Sequence, residues 1–173
     1  MNFIALDLEL TCDKDVRDYP YQIIELAAVR CIDGVIDSVF QSYVKPAAPF
    51  EVTPFCTALT GITAEQLLHA PSIDVVAKSL SEFIQHKTPE QIISWGKSDL
   101  EMLKSECISA GAEFPLTEHL YQDFKKIYCK KRKIKKRVGL QTALKISEVS
   151  PQGLPHSALD DAKNLALLFV KES

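Results

Sequence analysis

The chain has 173 residues, of which 46% are hydrophobic, and its 20 basic and 23 acidic residues give a formal net charge of −3. A chain of this length can bury roughly 70% of the surface that it exposes when unfolded, so its core needs neither a disulfide nor a structural metal. The hydrophobic content excludes an intrinsically disordered protein. No apolar run approaches the ~20 residues of a membrane span, which excludes a membrane-spanning helix.

The charges are distributed unevenly along the chain. Residues 125–137 contain nine of the 20 basic residues and no acidic residue. The remainder has 11 basic and 23 acidic residues, a net charge of −12. This asymmetry indicates an anionic partner at one place on the protein and cation binding at another.

The terminus and the cysteines predict the compartment. The sequence Met-Asn-Phe-Ile-Ala-Leu-Asp has no basic leading region and reaches an acid at position 7, unlike a secretory signal peptide. The five cysteines are odd in number and form no Cys-x-x-Cys pair, which argues against a disulfide framework and a zinc knuckle. Such cysteine usage is typical of a reducing compartment. We therefore expect one cytoplasmic domain over residues 1–173, with no membrane partner.

Three strands are predicted in the first part of the chain. Residues 2–10 form a short apolar run interrupted by acids, as in a central strand, and residues 23–32 and 35–44 form two more runs. Between the last two, Asp33-Gly34 is a strong signal for a tight hairpin turn. Prolines between positions 46 and 54 then predict a loop.

Helical patterns and short strands follow that loop. A Thr-x-x-Gln capping box at Thr63 predicts a short helix, and apolar residues at helical spacing predict a longer one over 72–86. The later predicted elements are a strand over 91–95, a helix from Ser98 to near Gly111 with Glu101 completing its capping box, a strand over 120–124, a helix over 140–146 and a last helix from Ser157. This order predicts an α/β domain with a mixed sheet.

Two carboxylates interrupt the first predicted strand. Asp7 and Glu9 are two residues apart, so both side chains point to the face that carries Phe3 and Ala5. Carboxylates within an apolar strand are costly unless a cation compensates their charge. Hard divalent ions such as Mg²⁺ and Mn²⁺ prefer oxygen ligands and would supply that charge. The alternative is a solvated edge strand.

Further acids and a histidine lie near predicted helix starts. His156 directly precedes the cap of the last helix, and Asp161 lies on the apolar face of that helix. We therefore expect Asp161 to face inward and Asp160 to face solvent. Asp99 lies in the first turn of an earlier helix, where a carboxylate either interacts with the helix dipole or adds to the site.

The order of these residues resembles that of a known family. The motifs of the DEDDh 3′–5′ exonucleases are similar to three groups of residues in this chain: Asp7-x-Glu9, Asp99 and His156-x-x-x-x-Asp161. The sequences around these residues resemble the Eri-like exoribonuclease branch of that family, which includes histone-mRNA 3′-end exonucleases. The stretches that carry the resemblance span nearly the whole chain: Ala5-Leu-Asp-Leu-Glu-Leu-Thr-Cys12, Ile23-Ile-Glu-Leu26, Phe55-Cys-Thr-Ala-Leu-Thr-Gly-Ile-Thr63, Ser94-Trp-Gly-Lys-Ser-Asp99 and His156-Ser-Ala-Leu-Asp-Asp-Ala-Lys-Asn164.

The resemblance implies an RNase H-like fold, with a mixed five-stranded sheet flanked by helices, and hydrolysis of a nucleic acid from its 3′ end. It also implies that Asp7, Glu9, Asp99 and Asp161 bind two divalent metal ions, Mg²⁺ or Mn²⁺, and that His156 is the general base. Two such metals can activate a water and stabilise the leaving oxygen, and imidazole is suited to proton transfer near neutral pH.

The resemblance further implies which residues contact the terminal nucleotide. Leu10 and Thr11 would contact it through their backbone, and Phe55 and Trp95 would stack on or flank its base. Trp95 also ends an apolar strand, so core packing is an equal alternative for this side chain.

The basic segment, residues 125–137, is interpreted as a surface for the phosphate backbone of RNA, with a solvated surface or a nuclear-localisation signal as alternatives. Its predicted backbone contacts are Lys130, Lys131, Arg132, Lys133, Lys135, Lys136 and Arg137. The predicted function is a metal-dependent 3′–5′ exonuclease that releases nucleoside 5′-monophosphates from single-stranded RNA. Two alternatives stay open: a DNA-directed proofreading-type exonuclease and a non-catalytic nucleic-acid-binding module of the same fold. The oligomeric state is not predicted.

Overall fold

A computed structural model describes residues 1–16 and 19–173 of the chain. Within them, the strands are β1 (Asn2–Leu10), β2 (Ile23–Ile32), β3 (Val35–Tyr43), β4 (Gln91–Ser94) and β5 (Tyr121–Asp123). They form one sheet in the order β3-β2-β1-β4-β5. β1 pairs antiparallel with β2 and parallel with β4, while β2–β3 is antiparallel and β4–β5 is parallel. The predicted mixed five-stranded sheet is therefore confirmed, with the first strand at its centre.

Helices cover both faces of the sheet. They are α1 (Pro54–Thr60), α2 (Ala64–Leu68), α3 (Ile73–His86), α4 (Ser98–Ala110), α5 (Phe124–Lys131), α6 (Leu140–Ile146) and α7 (Ala158–Glu172), with a 3₁₀ turn at Glu118–Leu120. Among the described helices, none combines the length and the hydrophobicity that crossing a membrane requires.

The alternation of side chains along β1 divides the core into two layers. Phe3 and Ala5 are fully buried in a cluster with residues of α5, α6 and α7. Ile4, Leu6 and Leu8 are buried on the opposite side, against α3 and α4. Because successive strand residues point to opposite faces, Asp7 and Glu9 lie on the α7 side, as their spacing predicts.

Local signals for turns and caps mostly match the structure. Asp33 and Gly34 have φ angles of 51° and 80°, the left-handed pair that a two-residue hairpin requires. The Thr63–Gln66 capping box is present, with Gln66 Oε1 accepting from Thr63 N at 2.8 Å and Thr63 Oγ1 accepting from Gln66 N at 3.4 Å. These signals succeed because the residues involved are close in sequence.

Two local predictions are wrong. Pro54 is not part of the predicted loop but is the first residue of α1, because Thr53 Oγ1 accepts from Cys56 N at 3.1 Å and proline is favourable in the first turn. Ser98 and Glu101 do not form a capping box. The chain is already helical at Lys97, which takes the cap position, and Lys97 Nζ pairs with Glu101 at 2.7 Å.

The start of the basic segment forms a helix that the sequence analysis does not predict. Residues 124–131 form helix α5. Its Phe124 and Tyr128 lie one turn apart and are both buried in the core. Because lysines occupy much of this helix, its two-residue apolar face gives no clear helical pattern in the sequence. Asp123 caps the helix, and its carboxylate accepts from Lys126 N at 2.9 Å.

One buried cation links the sheet to a helix end. Arg30 on β2 is 1% exposed, and its guanidinium donates to the carbonyl oxygens of Phe83 and Lys87 at the end of α3. Burial lowers its pKa. The last carbonyls of a helix have no partner within the helix, so Arg30 satisfies groups that would otherwise be buried and unpaired.

We expect Arg30→Met to lower the free energy of unfolding by about 1–3 kcal/mol, the cost of leaving such acceptors unsatisfied. Urea unfolding measures this change. Lys78→Met, on the exposed face of α3, is the matched control and should change stability little. Equal stability of the Arg30 and Lys78 variants would show that the guanidinium does not stabilise the end of α3.

Candidate active site

The predicted acids meet at the carboxyl end of β1. Glu9, 9% exposed, lies near the end of that strand, and Asp161 lies in the first turn of α7, which packs across the same face. One potential ligand atom from each of Glu9, His156 and Asp161 lies within 4.8 Å of the other two. The packing of α7 on the sheet thus brings Glu9 close to two residues that are 147 and 152 positions away in the sequence.

Asp7 and Asp99 lie at the same edge of the sheet as these residues. β4 runs parallel to β1, so the carboxyl ends of both strands lie at one edge of the sheet, and α4, with Asp99 in its first turn, begins just beyond β4. Burial raises the pKa of Asp7 well above its usual range, and the charges of Asp99, Glu9 and Asp161 raise it further. The four carboxylates that the sequence predicts therefore share one electrostatic environment.

Burial also changes the other acids. It raises the pKa of Glu9 to about 8, with further contributions from Asp161, Glu25 and Asp99. It raises the pKa of Asp99 to about 7, although the Ser94 and Ser98 hydroxyls and the charge of Lys125 oppose this shift. At neutral pH, some of these carboxyl groups therefore retain protons.

The donor set fits a hard divalent cation. Buried carboxylates whose pKa is raised by one another gain favourable interactions when positive charge enters between them. Oxygen ligands with an imidazole beside them suit Mg²⁺ or Mn²⁺ better than a thiolate-preferring metal. The chain therefore presents a candidate metal centre made of acids from β1, α4 and α7.

The loop before α7 is fixed by that helix. His156 N donates to Asp161 Oδ2 at 2.9 Å, and Leu154 N donates to Asp160 Oδ2 at 3.0 Å. Asn164, which is 1% exposed, donates to Gln152 O at 2.9 Å and accepts from Gln152 N at 2.8 Å. The exposed imidazole of His156 is thus carried on a loop whose backbone is held at several points.

These contacts correct one expectation. Asp160 does not simply face solvent; it is half-buried, because the loop folds back over the first turn of α7 and supplies the Leu154 amide to its carboxylate. The fold-back depends on Gly153, which has a φ of +67°, and a Cβ there would overlap the Asp160 carboxylate. By contrast, Asp161 lies on the face of Leu165 and Leu168, both fully buried, as predicted.

Glu25 is a buried acid beside the site for which the sequence predicts no role. This residue lies on β2 directly opposite Glu9 and is 3% exposed. Its charge contributes to the raised pKa of both Asp7 and Glu9. The available signal was its position as the single acid in the ten-residue, otherwise mostly apolar strand Ile23–Ile32.

The predicted nucleotide contacts have different environments. Phe55 is 36% exposed on α1, and Leu10 is half-buried at the end of β1. Thr11 is 1% exposed, its N–H donates to Gln22 O at 2.8 Å, and its hydroxyl accepts from Gln22 N at 2.9 Å. The polar groups of Thr11 are therefore largely used within the protein.

Trp95 has the contacts of a packing residue. Its ring centroid lies 5.5 Å from that of Tyr128 and 6.0 Å from that of Phe124. Its Nε1 donates to Val138 O at 3.1 Å, which ties the loop after α5 to the end of β4. Of the two alternatives left by the sequence, these contacts favour packing.

Three residues of the basic segment have internal acidic partners. Lys131 Nζ lies 3.6 Å from Glu172 Oε2, the Arg132 guanidinium also pairs with Glu172, and Arg137 lies 3.9 Å from Asp123. The Glu172 side chain is 3% exposed, and its hydrogen bond with Arg132 lowers its pKa. Arg132 and Lys131 therefore stabilise the junction between α5 and α7.

The other predicted contacts of the segment are free for an external anion. Lys130, Lys133, Lys135 and Lys136 are exposed, and within residues 1–16 and 19–173 none of them has a salt-bridge partner. Lys125, the first residue of the segment, lies close enough to Asp99 for its charge to oppose the raised pKa of that carboxyl. Gln141, four residues after the segment, donates from Nε2 to Asp161 Oδ1 at 3.2 Å. These two residues therefore lie beside acids of the candidate metal centre.

Comparison with protein families and curated sequences identifies relatives. The family model described as Exonuclease, RNase_T, matches residues 4–169. Human ERI1 exoribonuclease 3 is 32% identical over 176 residues, which cover 95% of this chain and 51% of that protein. Human 3′-5′ exoribonuclease 1 is 26% identical over 176 residues, covering 96% of this chain and 50% of the relative. The chain spans about half the length of these curated relatives.

Comparison with solved structures gives the same grouping. The crystallographic structure of the nuclease domain of 3′hExo, a DEDDh family member bound to rAMP, is 25% identical with a TM-score of 0.87, covering 98% of this chain and 90% of that one. A full-length 3′-exonuclease has 25% identity and a TM-score of 0.88, covering 98% of this chain and 59% of the other. The five-stranded sheet with its flanking helices therefore has the RNase H-like exonuclease fold.

The raised pKa values predict how pH affects stability without metal. A carboxyl group whose pKa is higher in the folded than in the unfolded state contributes stability at low pH and loses it as pH rises. For Glu9 this window runs from about 4.5 to about 8. We expect Glu9→Gln to raise the stability of the metal-free protein at pH 8 by about 1–2 kcal/mol, roughly 2–8 °C in Tm, and to change it little at pH 4.

Thermal unfolding in EDTA at both pH values measures this effect. Glu113→Gln, at an exposed position, is the control and should leave Tm unchanged at each pH. Mn²⁺ should raise the Tm of the wild type more than that of Glu9→Gln. A Glu9→Gln variant that is less stable at pH 8 than at pH 4, relative to wild type, would contradict the raised pKa of Glu9, which burial and the neighbouring acids cause.

Proposed function

This chain belongs to the exonuclease family whose model matches residues 4–169, and on that premise we propose that residues 1–173 form a metal-dependent 3′–5′ exoribonuclease domain. The observation that carries the proposal is the meeting of buried carboxylates and His156 at the carboxyl end of β1. The similarity to relatives named exoribonucleases supports RNA as the substrate.

In this proposal, Asp7, Glu9, Asp99 and Asp161 hold two divalent ions, Mg²⁺ or Mn²⁺. The chemistry that such a pair supplies when bound is activation of a water and stabilisation of the leaving oxygen in an in-line displacement. The carboxylates contribute by fixing that charge in a partly buried place, where electrostatic interactions are stronger than in water.

His156 accepts a proton in the proposed reaction. Its imidazole lies beside Glu9 and Asp161, and its backbone N–H donates to Asp161, which fixes the loop on which the ring is carried. As the water oxygen bonds to phosphorus, one of its protons passes to the imidazole and the bond from phosphorus to the 3′ oxygen of the preceding nucleotide breaks. That oxygen leaves and takes a proton from solvent to become the new 3′-hydroxyl. The product is a nucleoside 5′-monophosphate.

The terminal nucleotide is proposed to bind beside the end of β1. Phe55 has enough exposed ring surface to stack on its base, and the backbone of Leu10 and Thr11 borders the same place. Trp95 is proposed to flank the nucleotide while its ring remains packed on α5. The upstream strand then leaves over the basic segment.

A reducing, cytoplasmic location is also proposed. All five cysteines lie in the described part of the chain and are free thiols, four of them buried. Free thiols are usual where glutathione and thioredoxin keep cysteines reduced.

A labelled-substrate assay tests the proposed function. Purified protein is incubated with 5′-labelled single-stranded RNA or single-stranded DNA of the same sequence, with Mg²⁺, Mn²⁺ or EDTA. We expect ladders that shorten by one nucleotide, faster on RNA, and that vanish with EDTA. Faster cleavage of DNA would favour a DNA-directed exonuclease, and binding without cleavage under all metals would favour a binding module.

Removal of the proposed proton acceptor has a defined effect. We expect His156→Ala to lower kcat about 10²–10⁴-fold, the usual contribution of a general base, with a small change in KM. Single-turnover kinetics on a short RNA measures it, and calorimetric titration with Mn²⁺ separates the two roles open to this side chain. An unchanged kcat would contradict the general base, and a large loss of Mn²⁺ affinity would assign His156 as a metal ligand instead.

Neutralising the unpaired lysines should weaken binding to long RNA. A variant with Lys130, Lys133, Lys135 and Lys136 changed to Gln should bind less tightly, and the slope of log K against log salt should fall by up to about 3, since each contact to a single strand contributes about 0.7. Filter binding at several salt concentrations measures the slope. Dinucleotide hydrolysis should stay unchanged, and equal losses on both substrates would show that these lysines act on the fold or the catalytic site.

A further inference from the structure

Glu25 is a buried carboxylate that the proposed reaction does not use. It is 3% exposed, lies on the central part of the sheet and faces Glu9 across the β1–β2 pair. Its presence has an electrostatic cost, because its charge contributes to the raised pKa of both Asp7 and Glu9. A buried acid in such a place needs an explanation in terms of its contacts.

Both carboxylate oxygens of Glu25 have donors. Oε2 accepts from Ala158 N at 3.0 Å, and Oε1 accepts from Gln41 Nε2 at 2.6 Å. Ala158 is the first residue of α7, so its N–H has no acceptor within the helix. Ser157, at the N-cap position, makes no side-chain capping bond, and Glu25 therefore caps α7 from the sheet.

The capped turn carries the groups of the site. Asp161 N donates to Ser157 O at 2.9 Å, and Asp161 Oδ2 accepts from His156 N at 2.9 Å, so both residues belong to the structure that Glu25 holds. Glu25 and Glu9 are paired positions of the same sheet. A bond from Glu25 to α7 therefore fixes the first turn of the helix relative to the strand that bears Glu9.

We infer that Glu25 is a positioning residue for the metal centre, which holds the first turn of α7 at the separation from β1 that lets Glu9 and Asp161 act on the same ion. The inference rests on the proposed function for the identity of that ion. Glu25 acts through Asp161 and His156, because its own two oxygens are already engaged by protein donors.

Three substitutions separate position from charge. Glu25→Ala removes the acceptor. Glu25→Asp keeps the charge but withdraws the acceptor by one methylene. Glu25→Gln keeps an oxygen at the same distance for Ala158 N, and the exposed Gln41 amide can rotate to accept from the new NH₂ group.

Glu106 of α4 provides a matched control, because it also accepts from a backbone amide of β2. Glu106 Oε1 accepts from Ile23 N at 2.5 Å, two residues from Glu25, but Glu106 projects from α4 on the opposite side of the sheet. Burial raises its pKa, as expected for a partly buried carboxyl group. Glu106→Ala therefore removes a comparable tie between a carboxylate and a backbone amide, about two turns along α4 from Asp99 rather than at the helix turn that bears a proposed ligand.

Calorimetric titration of metal-free protein with Mn²⁺ tests the inference without relying on activity. Loss of a residue that orients a metal ligand usually costs 10–100-fold in affinity, so we expect that loss for Glu25→Ala and about tenfold for Glu25→Asp. Glu25→Gln should stay within about threefold of wild type, and Glu106→Ala should lower Tm while leaving the Kd for Mn²⁺ unchanged.

Two results would overturn the inference. Wild-type affinity for Mn²⁺ in Glu25→Asp, or in a folded Glu25→Ala, would leave Glu25 a stabilising residue only. A Glu25→Gln variant as weak as Glu25→Asp would assign the effect to another property of the carboxylate. If wild-type protein binds Mn²⁺ with the expected variant order but cleaves no RNA, the exoribonuclease proposal fails and the positioning role stands.

Discussion

Repulsion among buried carboxylates at the carboxyl end of β1 constrains the whole candidate site. Burial raises the pKa of Asp7, Glu9, Asp99 and Asp161, and the charges of the other acids of this set raise the pKa of Asp7 and Glu9 further. In the metal-free protein this arrangement opposes folding at neutral pH, because an unfolded chain separates the same charges in water. The proposed divalent cations would convert this cost into affinity, since the protein has already brought the proposed ligands together.

The surrounding structure holds the acids where they repel each other. Leu165 and Leu168 of α7 are fully buried against the sheet, and burial of such a side chain stabilises by about 1.5–3 kcal/mol. Polar contacts then orient the first turn of the helix: Glu25 accepts from Ala158 N, while Asp160 and Asn164 hold the loop that bears His156. At the far end of α7, the Glu172 pair with Arg132 joins it to α5. Apolar packing thus stabilises α7 against the sheet, and hydrogen bonds fix the positions of the side chains in its first turn.

Features with local causes could be predicted from the sequence. The alternation along β1 assigned Asp7 and Glu9 to one face, and the helical period of α7 turned Asp161 inward. Features that depend on distant partners could not. Asp160 is half-buried only because a loop folds back on it, Glu25 caps a helix that begins 133 positions later, and Arg132 pairs with a buried acid near the C-terminus. The Ser98–Glu101 pattern was misleading because the approach of the chain from β4, rather than the residue types, decides where α4 begins.

Counting the protons released on Mn²⁺ binding tests whether the carboxyl groups that retain protons in the metal-free protein become the metal ligands. The pKa values of about 8 for Glu9 and about 7 for Asp99 leave protons on the metal-free site at pH 7, and ligands must lose them to bind metal. Calorimetric titrations in buffers of different ionisation enthalpy give the number. We expect release of at least about one proton per chain at pH 7, and of fewer protons at pH 9, where Glu9 and Asp99 have already lost theirs. Metal binding with no proton release at pH 7 would contradict this expectation.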